Sequence, residues 1–266
     1  MQFSVVIPAY NEERRLSRTL ESIIAAFLYF NTRFEVIVCD DGSTDRTAEI
    51  VENYQKLYSF VRFIRSPINY GKGHAVKQGM LHATGRWILV TDSDLSAPIE
   101  EFAKLWYWAQ NGHLVVIGSR RIDGALIDNQ QPWLRRQLGM IFSKMSSVFL
   151  SIPIEDFTCG FKLFHRSAAK DIFSQSLIYR WGFDCEALFL AHRLGYSVKE
   201  VPIRWGHSDD TKVRMVVDVL TSFRELLSVR GNWIQGKYRT ACLRNRFANY
   251  QTIGTLSLLT QNELLR

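Results

Sequence analysis

The sequence has little of what marks several large classes of protein. No apolar run reaches the roughly 18 to 20 residues that a membrane-spanning helix needs, so an integral membrane protein is not expected. Only 6 prolines and 16 glycines occur in 266 residues, with no internal repeat, low-complexity tract or Ser/Gly-rich boundary, which sets aside fibrous, solenoid and linker-rich architectures. The four cysteines, Cys39, Cys159, Cys185 and Cys242, lie far apart and form no C-x-x-C pair. Neither a zinc knuckle nor a redox motif is indicated, and reduced, buried thiols are expected. The N-terminus enters a Val/Ile strand pattern with no basic and apolar leader before it, which points to a cytoplasmic setting.

What is present is ordinary globular material, 47% hydrophobic and 22% charged, with a formal net charge of +7. That charge calls for an anionic partner: nucleic acid, a phospholipid surface or a phosphorylated small molecule. No zinc-finger spacing and no RNP-like string supports nucleic acid, so a nucleic-acid-binding module is the weaker, non-enzymatic alternative.

Short β-branched runs alternate with helical patterns through the first half. Phe3 to Ile7, Phe34 to Cys39, Val61 to Arg65, Trp87 to Thr91 and Leu114 to Gly118 read as strands. Asn11 to Phe30, Thr44 to Leu57, Gly73 to Ala83 and Pro98 to Gln110 read as helices. Such alternation predicts an α/β fold, a mostly parallel central sheet with helices on both faces. The second half is less regular: a mixed stretch from Pro132 to Ile154, strands at Phe161 to Phe164 and Ser197 to Ile203, and helices at Phe183 to Leu194 and from about Lys212 to Val229.

In sheets of this kind ligands bind beyond the carboxyl ends of the strands, so the residues just after each strand carry the functional information. After the first, Pro8 is expected to stop the strand while Tyr10 and Glu12 offer an aromatic and a carboxylate to a nucleoside, or Asn11 simply caps a helix. After the second, Asp40 and Asp41 stand in a tight Asp-Asp-Gly turn, either accepting hydrogen bonds from a ribose or base or forming a plain turn with Ser43 or Thr44 as cap. Asn69 to His74 is a glycine-rich entry to a helix, where Lys72 either contacts a phosphate or is solvated. It matches neither G-x-G-x-x-G nor the P-loop string. The sharpest signal is Asp92-Ser93-Asp94: on an extended backbone residues two apart point the same way, so both carboxylates can face one site. Two close anions need a counter-charge, and a hard divalent ion, Mg²⁺ or Mn²⁺, bridging them to a substrate diphosphate is the expected answer.

In this order and spacing, PAYNE, DDGSTD, NYGKGHAVKQG and DSDLS resemble the family 2 glycosyltransferases with a Rossmann-like GT-A fold. Gly118-Ser119-Arg120, Asp156 to Lys162, Trp181 to Asp184 and Glu200 to Trp205 are similar to the branch that acts on polyprenyl phosphates, dolichyl-phosphate glucosyltransferases first and mannosyltransferases next. The likeness covers about residues 3 to 230 and implies a catalytic domain over 1–230 with a basic, aromatic extension over 231–266. It implies that Pro8, Tyr10, Glu12 and Asp40 or Asp41 line a nucleoside pocket and that Asp92 and Asp94 hold the metal. Arg120, Arg135 or Arg136, and Lys212 are matched to the acceptor phosphate and the leaving diphosphate. The mannosyl branch commonly has Gln where Ser96 stands, which puts a third direct metal ligand in doubt.

The activity so implied is inverting transfer of a hexose, glucose from UDP-glucose ahead of mannose from GDP-mannose, to a polyprenyl phosphate at the cytoplasmic face of a membrane. A phosphate acceptor needs positioning more than deprotonation, with Asp156 orienting it. A hydroxyl acceptor on a glycolipid or polysaccharide is the enzymatic alternative, and there Asp156 would serve as general base. Relatives of this type often carry membrane helices; here the candidates for surface attachment are an amphipathic stretch from Leu138 to Ile154, flanked by Arg135, Arg136 and Lys144, and the tail from Arg230 to Tyr250. The tail has Lys237, Arg239, Arg244 and Arg246 among Trp233, Tyr238, Phe247 and Tyr250. Two readings stay open for these segments: attachment to an anionic bilayer, or helices packed on the core with a solvated face.

Overall fold

The computed structural model describes residues 1–129, 132–207 and 215–238, with only the backbone described over 215–220. Lys212, Cys242 and the tail residues Arg239, Arg244, Arg246, Phe247 and Tyr250 lie outside the described residues. Nine strands alternate with eight α-helices among them: β1 (Phe3–Ala9), α1 (Leu16–Tyr29), β2 (Phe34–Asp40), α2 (Thr47–Leu57), β3 (Val61–Arg65), α3 (Lys72–His82), β4 (Trp87–Val90), α4 (Phe102–Gln110), β5 (Val115–Ser119), β6 (Leu126–Ile127), α5 (Trp133–Leu150), β7 (Lys162–His165), α6 (Arg166–Phe173), α7 (Phe183–Arg193), β8 (Val198–Pro202), β9 (Arg204–Trp205) and α8 (Met215–Ile234).

Seven strands form one sheet in the order β3-β2-β1-β4-β7-β5-β8. β1 to β4 run parallel, as does β8 with β5, while β7 opposes both its neighbours. β6 and β9 pair as a separate short ribbon that the sequence pattern did not suggest. Because side chains alternate across a strand, the sheet builds two cores. Val6, Ile37 and Ile88 face Val76 and Met80 of α3, Ile172 of α6 and Leu188 of α7. Val5, Ile7, Val36 and Leu89 face Leu16, Leu20 and Phe27 of α1 and Leu105 of α4. Burial on both faces is why β1 and β2 read as mostly apolar runs, interrupted by Ser4 and by Glu35, which are buried together with Ser4 Oγ donating to Glu35 Oε1 (2.6 Å).

The first two helices begin later than their apolar spacing suggests, at Leu16 and Thr47, since the residues before them are engaged across the gap between β1 and β2. Asn11, at φ 54°, donates its N–H to Ser43 Oγ (2.8 Å) and accepts from Thr44 N (2.8 Å), so neither it nor Thr44 caps a helix. Glu12 N donates to Thr47 Oγ1 (2.7 Å) and Glu13 N to Asp45 Oδ2 (3.1 Å). Pro8 does not end β1: it pairs in register with Cys39. Ala9 O accepts from Asp41 on the β2 side and Val6 O from Thr91 on the β4 side, so the Pro8 nitrogen points toward β4, where pairing stops at Val6 and Val90. Its missing N–H therefore costs no ladder bond.

The mixed stretch after Pro132 is one continuous helix, α5, closed by Ser151 in the left-handed region (φ 57°). α8 runs through residue 230 without a break. Two of the tail aromatics suggested for a bilayer surface face inward instead: Trp233 packs on Phe189 and Arg193, and buried Tyr238 donates to Glu186 Oε1 (2.7 Å). Among the described residues no helix is long and apolar enough to cross a membrane.

The tightest contact between α3 and the sheet is at Gly79. A Cβ there would lie 2.3 Å from Val6 Cγ1 and 2.8 Å from Cys39 Sγ, both in a filled interior. Gly79→Ala is expected to lower stability by about 1–3 kcal/mol through overpacking, read from the urea midpoint. An unchanged midpoint would mean that the α3 and β1 backbones are not held this close.

Candidate active site

The loops leaving β1, β2, β4 and β5 and the turn entering α3 meet at the carboxyl end of the sheet. Tyr10 is half-exposed at its mouth, and the carboxylate of buried Glu12 is gripped by Arg15 through Nε and, at 2.8 Å, Nη2. Asp40 and Asp41, successive residues at the end of β2, point different ways. Asp40 Oδ1 accepts from Ser43 N (2.9 Å) and Ser43 Oγ, and Arg65 Nε lies 3.2 Å from its other oxygen. Asp41 accepts from Tyr70 N (3.1 Å) and Gly71 N (2.7 Å), and burial raises its pKa despite those bonds. Sequence assigned both to a ribose or base; in the structure their first partners are the protein's own turns.

Asp41 thereby fixes the glycine-rich turn. Gly71 sits at φ 120°, and a Cβ on it would come within 2.4 Å of Tyr179 O, so the close approach requires glycine. Tyr179 O also accepts the His74 N–H (3.0 Å), which commits part of the α3 N-terminus to the protein. Lys72, the first residue of α3, reaches across to Asp92: Nζ lies 2.6 Å from Oδ1. Burial alone would lower the lysine pKa and raise that of Asp92; the pair reverses both, so Lys72 is raised and Asp92 lowered.

The Asp92-Ser93-Asp94 segment is not extended, as β4 ends at Val90. It is a tight turn in which Leu95 adopts φ 50°, a strained state for leucine. Three contacts hold it: Thr19 Oγ1 donates to Ser93 O (2.6 Å), Ser96 N to Asp94 Oδ1 (2.9 Å), and Gly206 N to Ser96 O (2.8 Å). Gly160 backs the other Asp92 oxygen so closely that a Cβ would fall 2.1 Å from it. Among the described residues no three His, Cys, Asp or Glu side chains converge as a metal cluster. Asp92 Oδ1 is nevertheless buried without a well-formed hydrogen bond, Lys72 Nζ lying 2.6 Å away. A buried carboxylate oxygen with only an ammonium beside it fits a hard divalent ion that completes its shell with water and phosphate.

Cations line the opposite side. Arg120, just past β5, clamps fully buried Asp156: Nε to Oδ2 (2.7 Å), Nη2 to Oδ1 (2.7 Å) and its own N–H to Oδ2 (3.0 Å). Burial would raise the Asp156 pKa, but Arg120 holds it well below the carboxylate range. Asp156, expected from sequence to orient the acceptor or, with a hydroxyl acceptor, to act as base, is fully buried here with both oxygens engaged by Arg120, which it anchors. Arg120 stacks near Trp205 (5.3 Å) and feels Asp92, while Arg135 of α5 lies within the fields of Arg120 and Asp94. Arg136 is exposed on α5.

Two buried charges were not singled out from sequence. Lys162, at the start of β7, donates to Asp184 Oδ1 (2.5 Å) and to Cys159 O. Asp184 opens α7, and burial raises its pKa although Lys162 and Lys72 oppose this. A lysine inside the apolar string Phe161-Lys162-Leu163-Phe164 was the available signal, for an unpaired charge is not buried there.

A sheet of this order, with helices on both faces and an acidic turn after β4, is the GT-A fold of glycosyltransferases. The chain belongs to the family described as Glycosyl transferase family 2, whose pattern matches residues 4–173. It is 38% identical over 224 residues to a dolichyl-phosphate beta-glucosyltransferase of Trichomonas vaginalis, covering 79% of this chain and 65% of that protein. It is 34% identical to the Drosophila melanogaster protein of that name, covering 92% of this chain and 79% of the relative. The fold is shared with glucosyl-3-phosphoglycerate synthase of Mycobacterium tuberculosis, solved with Mn²⁺, UDP-glucose and phosphoglyceric acid (TM-score 0.66, 19% identity, 86% of this chain and 80% of that one).

Arg120→Met, which strips Asp156 of its main counter-charge and leaves Arg121 Nη1 at 3.8 Å, is expected to cost about 3 kcal/mol of stability at pH 7 in urea unfolding. Because the folded pKa of Asp156 is depressed, its contribution is complete above the unfolded value of about 3.9 and is lost as pH falls toward the lower folded value, so the deficit of the variant shrinks below about pH 4. A deficit that stays constant into acid would show that the pair does not carry it.

Proposed function

We propose that the protein transfers glucose, with inversion, from UDP-glucose to a polyprenyl phosphate at the cytoplasmic face of a membrane, assisted by Mg²⁺ or Mn²⁺. The observation that carries the phosphate acceptor is the closure of Asp156: the acid available as a general base is used to fix a guanidinium, Arg120, in the field of Asp92. A hydroxyl nucleophile needs a base, whereas a phosphate oxygen is already anionic at neutral pH and needs cations to place it. Arg120 and Arg135 supply them, and guanidinium forks suit phosphate oxygens. The relatives named for β-glucosyl transfer to dolichyl phosphate support the sugar, the acceptor and inversion of an α-linked donor. The related fold solved with UDP-glucose and Mn²⁺ supports the donor and the ion.

A divalent ion held by Asp92 and Asp94 would supply charge neutralisation for the departing diphosphate. Pro8, Tyr10, Glu12 and the walls built by Asp40 and Asp41 form the nucleoside end, while Lys72 at the α3 N-terminus meets the diphosphate. The acceptor oxygen, steered by Arg120 and Arg135, attacks C1 of the sugar from the face opposite the diphosphate. The C1–O bond to UDP breaks as the new C1–O bond to the lipid phosphate forms.

The membrane term rests on α5. Leu134, Ile141, Met145 and Val148 make an exposed stripe at helical spacing, with Trp133 at its start, Arg136 and Lys144 exposed on the same helix, and exposed Leu227 on α8, which packs beside α5. Apolar residues flanked by basic ones suit an anionic bilayer surface.

With labelled sugar nucleotides, polyprenyl phosphate and Mn²⁺, label from UDP-glucose should enter the organic phase and label from GDP-mannose should not. Equal transfer to a hydroxyl acceptor would overturn the phosphate assignment. Asp94→Asn should lower kcat at least about a hundredfold with the melting temperature unchanged, as loss of a group that stabilises developing charge does. Full activity of that variant in chelator would remove the ion from the mechanism. Ile141→Glu with Val148→Glu should release the protein from anionic vesicles in flotation while leaving UDP binding intact; undiminished flotation would exclude α5 as the contact.

A further inference from the structure

Lys72, Asp92, Lys162 and Asp184 line a single small recess with Gly160, over an apolar floor that includes Val76, Val90 and Phe164. Two cations and two anions alternate there: Lys72 on Asp92 at 2.6 Å, and Lys162 on Asp184 at 2.5 Å. The two lysines differ in freedom. Lys162 is 3% exposed and tied to both Asp184 and Cys159 O. The Lys72 side chain is 24% exposed, roofed by the Trp181 and Phe183 rings at about 6 Å, and its ammonium takes the very carboxylate oxygen, Asp92 Oδ1, that lacks a well-formed hydrogen bond. A divalent ion and this ammonium need the same oxygen, and they repel each other.

Building on the donor reading above, we propose that Lys72 is an exchangeable counter-ion. Without donor it neutralises Asp92; when the donor diphosphate arrives it turns to the phosphates at the α3 N-terminus and releases Asp92 to the divalent ion. Lys162 cannot make the exchange, being fixed on Asp184, and it keeps that acid neutralised while Lys72 moves and Asp92 is left for the ion. Ion and sugar nucleotide consequently bind with positive cooperativity, each strengthening the other by the same factor. A free enzyme so arranged does not fill its metal position ahead of substrate. Lys72 is a positioning residue here, acting on Asp92 as well as on the phosphates.

The test is Mn²⁺ binding followed by the electron paramagnetic resonance of the free ion, with and without UDP, in the full chain and in Lys72→Gln, Lys72→Met and Lys72→Arg. In the unmodified protein UDP should tighten Mn²⁺ at least about tenfold. Lys72→Gln and Lys72→Met should tighten Mn²⁺ in the absence of UDP by about tenfold, for a repelling charge has gone, and should shrink the effect of UDP. Lys72→Arg keeps the charge and should stay as weak as the parent without UDP. Unchanged or weaker donor-free binding in the two neutral variants overturns the exchange, as does a gain in Lys72→Arg equal to theirs. If the unmodified protein takes up neither UDP nor UDP-glucose with Mn²⁺, the donor reading itself fails; normal Mn²⁺–UDP uptake with no donor-free gain in the variants sinks the exchange alone.

Discussion

Carboxylates gathered at the carboxyl end of a parallel sheet repel one another, and the organisation of this cleft follows from that constraint. Asp41, Asp92, Asp156 and Asp184 come from four different segments, and each is matched by its own donor set: two backbone amides, Lys72, Arg120 and Lys162. Of these four, Asp92 keeps a buried oxygen without a well-formed hydrogen bond, and its cation sits on a partly exposed side chain at a helix end. Asp40 shares that state, its Oδ2 meeting half-exposed Arg65 at 3.2 Å, so the looser pairs lie toward the mouth and the tighter ones deeper.

The reversed strand β7 makes this possible. A parallel strand in its place would start at the opposite end of the sheet, far from the acidic turn. Running antiparallel between β4 and β5, it begins at the carboxyl end, with Lys162 in register with Val90 and Gly160 against the Asp92 carboxylate. The loop before it carries Asp156 under Arg120 at the end of β5. α7 then returns Asp184 to Lys162, and the segment between β7 and α7 brings the Tyr179 carbonyl to the start of α3. Glu186 secures that segment by accepting from Leu177 and Ile178 amides and from Tyr238, so Tyr238, just past α8, is tied to the same wall that supports the glycine-rich turn.

Strand identity was legible because β1, β2 and β4 are apolar on both faces, and the acidic and glycine-rich strings stood out because they interrupt those runs. What local patterning could not show was pairing at a distance. Asn11 and Thr44 have the composition of helix caps, yet each finds its partner 33 residues away and the helices start later. Strand alternation was expected to set Asp92 and Asp94 facing one way, but the segment is a turn strained at Leu95, in which Asp94 accepts from Ser96 N and Asp92 meets Lys72. Asp156 and Asp92 are the same residue type in similar loops, and only the tertiary positions of their cations make one an internal anchor of Arg120 and leave the other partly open beside Lys72. Lys162 was visible as a charge inside an apolar strand, but its partner lies 22 residues on, in a helix whose first turn carries two buried acids, Asp184 and Glu186, of which only tertiary structure assigns Asp184 to Lys162.

Buried ion pairs are a poor way to stabilise a fold, since desolvation consumes most of their attraction and well-packed apolar side chains of the same size do as well. The pairs at Asp156 and Asp184 are therefore better explained by what they hold in place than by stability. A guanidinium fixed by two hydrogen bonds to Asp156 and one to Thr158 Oγ1 needs no reorganisation when a phosphate arrives, and oriented charge in a partly dry cleft stabilises developing charge more strongly than the same groups in water. A metal-binding carboxylate would lose its ion if a rigid cation stood beside it, so the same logic demands that the Asp92 partner be free to leave. The contrast between an immobile Lys162 and a partly exposed Lys72, on adjacent acids of one recess, is the form that this requirement takes in the structure.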